Sequence, residues 1–356
     1  MGRKLQVMGM RWRKRCSEMR PTAEAMTRQS GDQPASFPRT TKAWEATAMV
    51  WIDTHVHISA VSPDGSIRAN LAQDVAAVLD GAGAELRFVV NCCEAANAHE
   101  FRRMIERPEE VLEASRHVHG LTEHLPGRVY GSCMVNPHFP DASLEAMDVA
   151  FGQWGFVMLG EMVQYLMHYR MDSDPVERLV RKAVEFGVPV QVHISTSNSA
   201  QGNFTSGTEE LHDFLALVQR APEARYLLAH FVGSPRANPT VVEGYLDIID
   251  RELGGWPANF WAEIIHFHSP GVPIALARIP HDRLMAGTDW VGRPGPPFLP
   301  YGIVYGVQSP EQNPYPPSVA SYAGFLAAAG ASPETVRAIA SENAARLLKL
   351  GPVPRP

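Results

Sequence analysis

From residue 50 onward the chain alternates short runs rich in Val, Ile and Phe with longer helical stretches, and the alternation repeats eight times. The candidate strands are 50–58, 86–92, 128–135, 156–161, 188–194, 225–231, 260–265 and 283–288. Helical patterns separate them, among them 71–83, 108–125, 141–154, 174–187, 208–221 and 239–253. Ser173-Asp174-Pro175 supplies a cap followed by proline in the first turn, and Gly187 closes that helix. Eight βα units in about 300 residues predict a closed parallel α/β barrel, the (β/α)8 TIM barrel, rather than an open sheet. Two further helices, 318–329 and 333–350, are expected as C-terminal caps. The Gly/Pro-rich tract 292–317 between strand eight and these helices reads as a long loop over the barrel mouth.

Composition bounds the class. Of 356 residues, 45% are hydrophobic and 20% charged, near the globular average, so bulk disorder and fibrous repeats are excluded. No apolar run approaches the roughly 18–20 residues needed to cross a bilayer. Four cysteines, two of them adjacent as Cys92-Cys93, form neither a CxxC metal signature nor a secreted disulfide framework, so reduced thiols and a cytoplasmic location are expected. Residues 1–42 carry ten Lys/Arg against three Asp/Glu, a net +7; the rest carry 22 against 35, a net −13. So acidic a body disfavours non-specific nucleic-acid binding. Residues 1–48 read as a basic, disordered extension, 49–350 as the barrel and 351–356 as a tail.

In a parallel barrel, chemistry sits at the carboxyl ends of the strands. Strand one reads Trp51-Ile52-Asp53-Thr54-His55-Val56-His57, and a period of two puts Asp53, His55 and His57 on one face. An HxH alone is weak evidence, because fourteen histidines in this length would give about half of one by chance. His117-Val118-His119 lies in a helical stretch, where side chains two apart diverge, and is set aside. His266-Phe267-His268 follows strand seven. What raises His55 and His57 above chance is the placing of other ligand types: Glu161 ends strand four, His193 strand five, His230 strand six, and Asp289 follows strand eight. A barrel gathers these ends around one axis. Four imidazoles and two carboxylates converging there are too polar for a packed core and predict a bound divalent metal, Zn2+ first and Mn2+ second, as one or two ions.

The set Asp53-x-His55-x-His57, His193, His230, Gly287-Thr288-Asp289 and Glu342-Asn343-Ala344-Ala345-Arg346-Leu347 resembles the amidohydrolase superfamily, over about residues 49–350. Within it, the branch of the aminocarboxymuconate-semialdehyde decarboxylase-like and TatD-like proteins is the most similar. The resemblance implies that His55, His57 and Asp289 bind one metal, that His193 and His230 bind a second or orient the substrate, and that Asp289 moves protons. Glu161 stands where many binuclear members carry a carboxylated lysine. It therefore tilts the expectation towards two metals and hydrolysis.

The expected activity is metal-assisted hydrolysis of a small organic amide, ester or lactone, by a water whose pKa the metal lowers to about 7. Asp289 and His230 are the expected catalytic residues. Arg293, Trp290, Asn136, Tyr165 and His266 follow strand ends and are expected to line the substrate site. The alternative is a metal-dependent non-oxidative decarboxylase or hydratase of an aromatic or unsaturated acid, with Arg293 as the carboxylate anchor. A TatD-like nuclease is a second alternative that the acidic body disfavours. A homo-oligomer is compatible with the sequence.

Overall fold

The structure, a computed structural model, describes residues 49–58, 68–82, 84–92, 107–194, 206–232, 239–265, 267, 269–292 and 319–351. The chain divides into two units, 1–42 and 43–356, and everything described belongs to the second. The basic extension, most of the tract 292–317 and the tail beyond 351 lie outside the described residues, as do His266, His268 and Arg293. Among the described residues no helix is long and apolar enough to cross a membrane.

Strands β1 Val50–Ile58, β2 Glu85–Cys92, β3 Val129–Cys133, β4 Met158–Met162, β5 Val190–His193, β6 Tyr226–Val232, β7 Phe260–Ile264 and β8 Leu284–Ala286 follow one another in the sheet in chain order. All their pairings are parallel. A short β9, Trp290–Gly292, lies against β1. The expected eighth strand, 283–288, is observed as the shorter Leu284–Ala286, which pairs with β7, while β9 beyond it pairs with β1; together they bring the sheet nearly to closure as a (β/α)8 barrel. Gly287-Thr288-Asp289 forms the step between the two strands, with Asp289 at φ 51°.

The helices run α1 Leu71–Asp80, α2 Glu110–His124, α3 Pro140–Gly152, a single-turn α4 Gln164–Met167, α5 Asp174–Phe186, α6 Gly207–Arg220, α7 Pro239–Leu253, α8 Gly271–Arg278, α9 Val319–Ala328, α10 Pro333–Arg337 and α11 Asn343–Leu347. Local signals set their ends. Ser206 and Glu209 make a reciprocal capping box at the start of α6. Gly187 ends α5 in the left-handed conformation. The expected single helix 333–350 contains a π-helical turn, Ala338–Glu342, between α10 and α11.

Two apolar layers hold the barrel. One lies between sheet and helices, where Val56, Phe88, Leu159, Val192, Leu228 and Ile264 meet buried helix positions such as Leu79, Leu121, Leu179 and Phe214. The other is an inner plug made of Ile52, Val89, Met158, Leu227, Trp261 and Met285, closed by Ala344, Leu347 and Leu348. The plug residues precede the site residues on their strands, so the plug fills the amino-terminal end of the barrel and leaves the carboxyl end for polar groups. The Asn343–Leu347 motif serves this closure: Asn343 Nδ2 donates to the carbonyls of His281 and Leu284, which ties α11 beneath β8.

Candidate metal centre

Strands β1, β4 and β6 lose their regular ladder at the site residue they carry. In β1, Thr54 and His55 together oppose the single Val89, a bulge between Asp53 and Val56. Strict alternation would put Asp53, His55 and His57 on one face. The extra residue instead turns Thr54, His55 and His57 towards the barrel axis and moves Asp53 out of that set. Asp53 accepts from the backbone N–H of His55 and Thr288, and from the Thr288 hydroxyl at 2.5 Å, so it braces the step before Asp289. In β4 the register shifts at Gly160-Glu161, and in β6 across His230. Gly160 is required by its φ of 126° and by the carbonyl of Gln191, which would lie 2.5 Å from any added Cβ. His230 has φ 39°. Such conformations cost a non-glycine residue about 1–2 kcal/mol, and here they aim side chains into the mouth.

These irregularities bring one set of atoms together. The Nε2 atoms of His55 and His57 face each other at 2.9 Å. Glu161 Oε2 lies 3.3 Å from the first and 3.4 Å from the second. Asp289 Oδ1 lies 3.7 and 3.4 Å from the same two atoms. Metal–ligand bonds of ~2.0–2.1 Å give a tetrahedron edges of about 3.3 Å, so these separations match the edges of a coordination cage. Ligand atoms of His55, His57 and Asp289 form one close group, and those of His55, Glu161 and His230 another. The histidines and Glu161 are buried, whereas the Asp289 side chain is 20% exposed and meets the mouth.

The protonation pattern supports a cation. His55 Nδ1 is 2.8 Å from Glu263 Oε2, so it carries the proton and leaves the Nε2 lone pair pointing at His57 Nε2. Burial opposes charge on His55, but the carboxylates of Glu263 and Glu161 outweigh it and raise its pKa well above the ordinary 6.5. Burial likewise opposes charge on Glu161, yet His55 and hydrogen bonds from His193, His230 and His55 hold its carboxyl well below the usual range. A pocket that so favours positive charge fits a divalent ion.

His193 and His230 sit behind Glu161. His193 Nδ1 and His230 Nε2 approach Glu161 Oε1 at 2.8 and 3.0 Å. His193 belongs to neither close group. Among the described residues its buried Nε2 has no hydrogen-bond partner and lies 4.0 Å from Glu210 Oε2, and burial together with the neighbouring His230 lowers its pKa. Of the expected lining residues, Tyr165 packs its ring 4.9 Å from that of His193. Trp290 is buried against Phe88, and Asn136 is buried with Oδ1 accepting from the His138 N–H. Arg170 pairs with Asp213 and Asp172. His117 and His119 stay apart from the centre, His117 on the Ile58 carbonyl and His119 stacked on Trp154.

The residue that sequence reasoning missed is Glu263. It is fully buried in β7 within Phe260-Trp261-Ala262-Glu263-Ile264. A lone acid inside an otherwise apolar inward-facing strand was the available signal.

The amidohydrolase family model matches residues 52–350. The chain belongs to the amidohydrolase family. Solved structures of similar fold include a 4-oxalomesaconate hydratase from Rhodopseudomonas palustris, with 14% identity, TM-score 0.58, and 84% of this chain and 96% of that one covered. A 2,6-dihydroxybenzoate decarboxylase from Rhizobium shares 16% identity at TM-score 0.55 over 85% of this chain and 99% of its own. A 5-carboxyvanillate decarboxylase from Novosphingobium aromaticivorans, complexed with manganese, shares 14% at TM-score 0.55 over 88% and 100%. No curated protein sequence matches this member of the amidohydrolase family. Its fold, its standing as an enzyme and the fit of its barrel mouth to a divalent metal agree with the sequence analysis.

Proposed function

We propose that this amidohydrolase-family protein is a lyase dependent on one divalent metal ion, acting on a small aromatic or unsaturated carboxylic acid by loss of CO2 or by hydration. One observation carries this reading: both close groups of ligand atoms contain His55, whose Nδ1 is taken by Glu263. An imidazole nitrogen has one lone pair, so Nε2 serves a single ion and the two groups describe one centre. This favours a single ion over the two-metal expectation raised by Glu161. A mononuclear centre, together with similar folds named as decarboxylases and a hydratase, favours the lyase over the hydrolase. His55, His57, Asp289 and Glu161 would hold the ion, with zinc or manganese suited to the mixed N/O donors.

When bound, the ion supplies a positive charge that polarises a substrate oxygen. The protein's own residues handle the proton. In decarboxylation a ring or vinyl carbon loses its carboxylate as CO2 and gains a proton in its place. Asp289 meets both the cage and the solvent-facing mouth, so its carboxyl can deliver that proton and regain one from water. His230 Nε2, beside Glu161, orients the departing carboxylate. Arg293, four residues beyond Asp289, is the proposed anchor for the substrate anion, with Trp290, Asn136, Tyr165 and His266 as lining groups.

Hydrolysis is the second reading, favoured by the same exposure of Asp289, which would let its carboxylate take the proton of an attacking water. Metal-loaded protein should be incubated with hydroxybenzoates and unsaturated dicarboxylates while CO2 and ultraviolet absorbance are followed, beside a parallel set of amides and lactones. Turnover confined to the amides and lactones would replace the lyase with the hydrolase.

A further inference from the structure

The Glu263 carboxylate lies beside the cage and belongs to neither close group of ligand atoms. Its Oε1 accepts from the Thr54 hydroxyl at 2.8 Å and from Gln191 Nε2 at 2.7 Å. Its Oε2 accepts from His55 Nδ1 at 2.8 Å and from the His230 backbone N–H at 3.1 Å. Four donors on four lone-pair directions saturate the group. They come from β1, β5 and β6, and Asn91 on β2 joins through Gln191 Oε1 at 2.9 Å. Gly287 on the neighbouring strand step leaves the space, since an added Cβ there would lie 2.5 Å from Glu263 Cδ.

Two of the four bonds reach the candidate site. The bond to Nδ1 fixes the His55 tautomer and ring plane, so Nε2 presents its lone pair to the cage. The bond to the His230 N–H falls where β6 and β7 lose register, between Leu228 and Val232, and holds a residue whose φ is 39°. We infer that Glu263 is the positioning residue of this centre: one carboxylate selects the metal-binding tautomer of His55 and fixes the turn that presents His230. The inference rests on the metal-cage reading above and adds to it a residue outside the cage.

The test uses the full chain and zinc alone. Glu263→Gln keeps the side-chain shape and removes its charge. It should lower zinc affinity about 10–100-fold in a chelator competition while the circular dichroism stays that of the parent. Gln191→Met removes a hydrogen bond to the same carboxylate but leaves the His55 contact, and it should shift the melting temperature with affinity within about threefold of the parent. Equal affinity in Glu263→Gln and parent, or equal losses in the two variants, would overturn the inference. Should Glu263→Gln fail to fold, the zinc-loaded parent decides by nitrogen-15 imidazole spectra. His55 must show a protonated Nδ1 slow to exchange, and an unprotonated or fast-exchanging Nδ1 refutes the role. A parent protein that binds no zinc would instead defeat the metal-cage reading itself.

Discussion

The paired Nε2 atoms of His55 and His57 make metal binding and proton release one event. With His55 Nδ1–H held by Glu263, the two Nε2 atoms 2.9 Å apart can face each other only with a proton or a cation between them. In metal-free protein a proton lies there, and it charges His55 because burial is outweighed by the carboxylates of Glu263 and Glu161, which raise its pKa well above 6.5. A divalent ion must displace it. Near neutral pH, binding should therefore release about one proton per ion. Below the raised pKa, apparent affinity should fall about tenfold for each pH unit, ~1.4 kcal/mol. Calorimetric titration with zinc in two buffers of different ionisation enthalpy measures the number directly. An observed enthalpy independent of the buffer would mean that His55 is neutral before the ion arrives, and the electrostatic account of the cage would be wrong. Stability follows the same linkage. Because the folded pKa of His55 is raised, its contribution to metal-free protein is fully present below the unfolded value near 6.5 and is lost as pH rises through the folded value. Metal-loaded protein should lack that alkaline decline, which thermal melts across the range would reveal.

Three further outcomes are expected. Gly287→Ala pushes a Cβ into Glu263 and breaks up a saturated buried carboxylate, so stability should drop by about 3–5 kcal/mol, or roughly 6–10 °C in melting temperature; a variant melting with the parent would show that the carboxylate can move freely. Asp289→Asn retains shape but not basicity, and turnover should fall by about 100-fold or more with the fold intact, whereas undiminished turnover would transfer the proton step to His230. Burial pushes the Cys133 thiol up to about 12, so peptide mapping after alkylation of native protein should find it unlabelled until the chain is unfolded, and ready native labelling would contradict its packing.

The sequence by itself determined the eightfold alternation and the ionisable groups at its turns. Strands such as β1 at Val50–Ile58 and helices such as α7 at Pro239–Leu253 are bounded by local signals, namely apolar periodicity, caps and proline, that act within a few residues. His55, His57, Glu161, His230 and Asp289 were legible for the same reason, each an ionisable group at the end of an apolar run. What only the tertiary structure decided was the aim of those groups. The bulge that parts Asp53 from His55, the step from β8 to β9 at Asp289 and the register break at His230 are properties of strand pairs, fixed by hydrogen bonds to neighbours far away in the chain. Glu263 shows the difference most clearly. Its partners Thr54 and His55 lie 209 and 208 residues away, and a buried charge becomes tolerable only when such distant donors close around it.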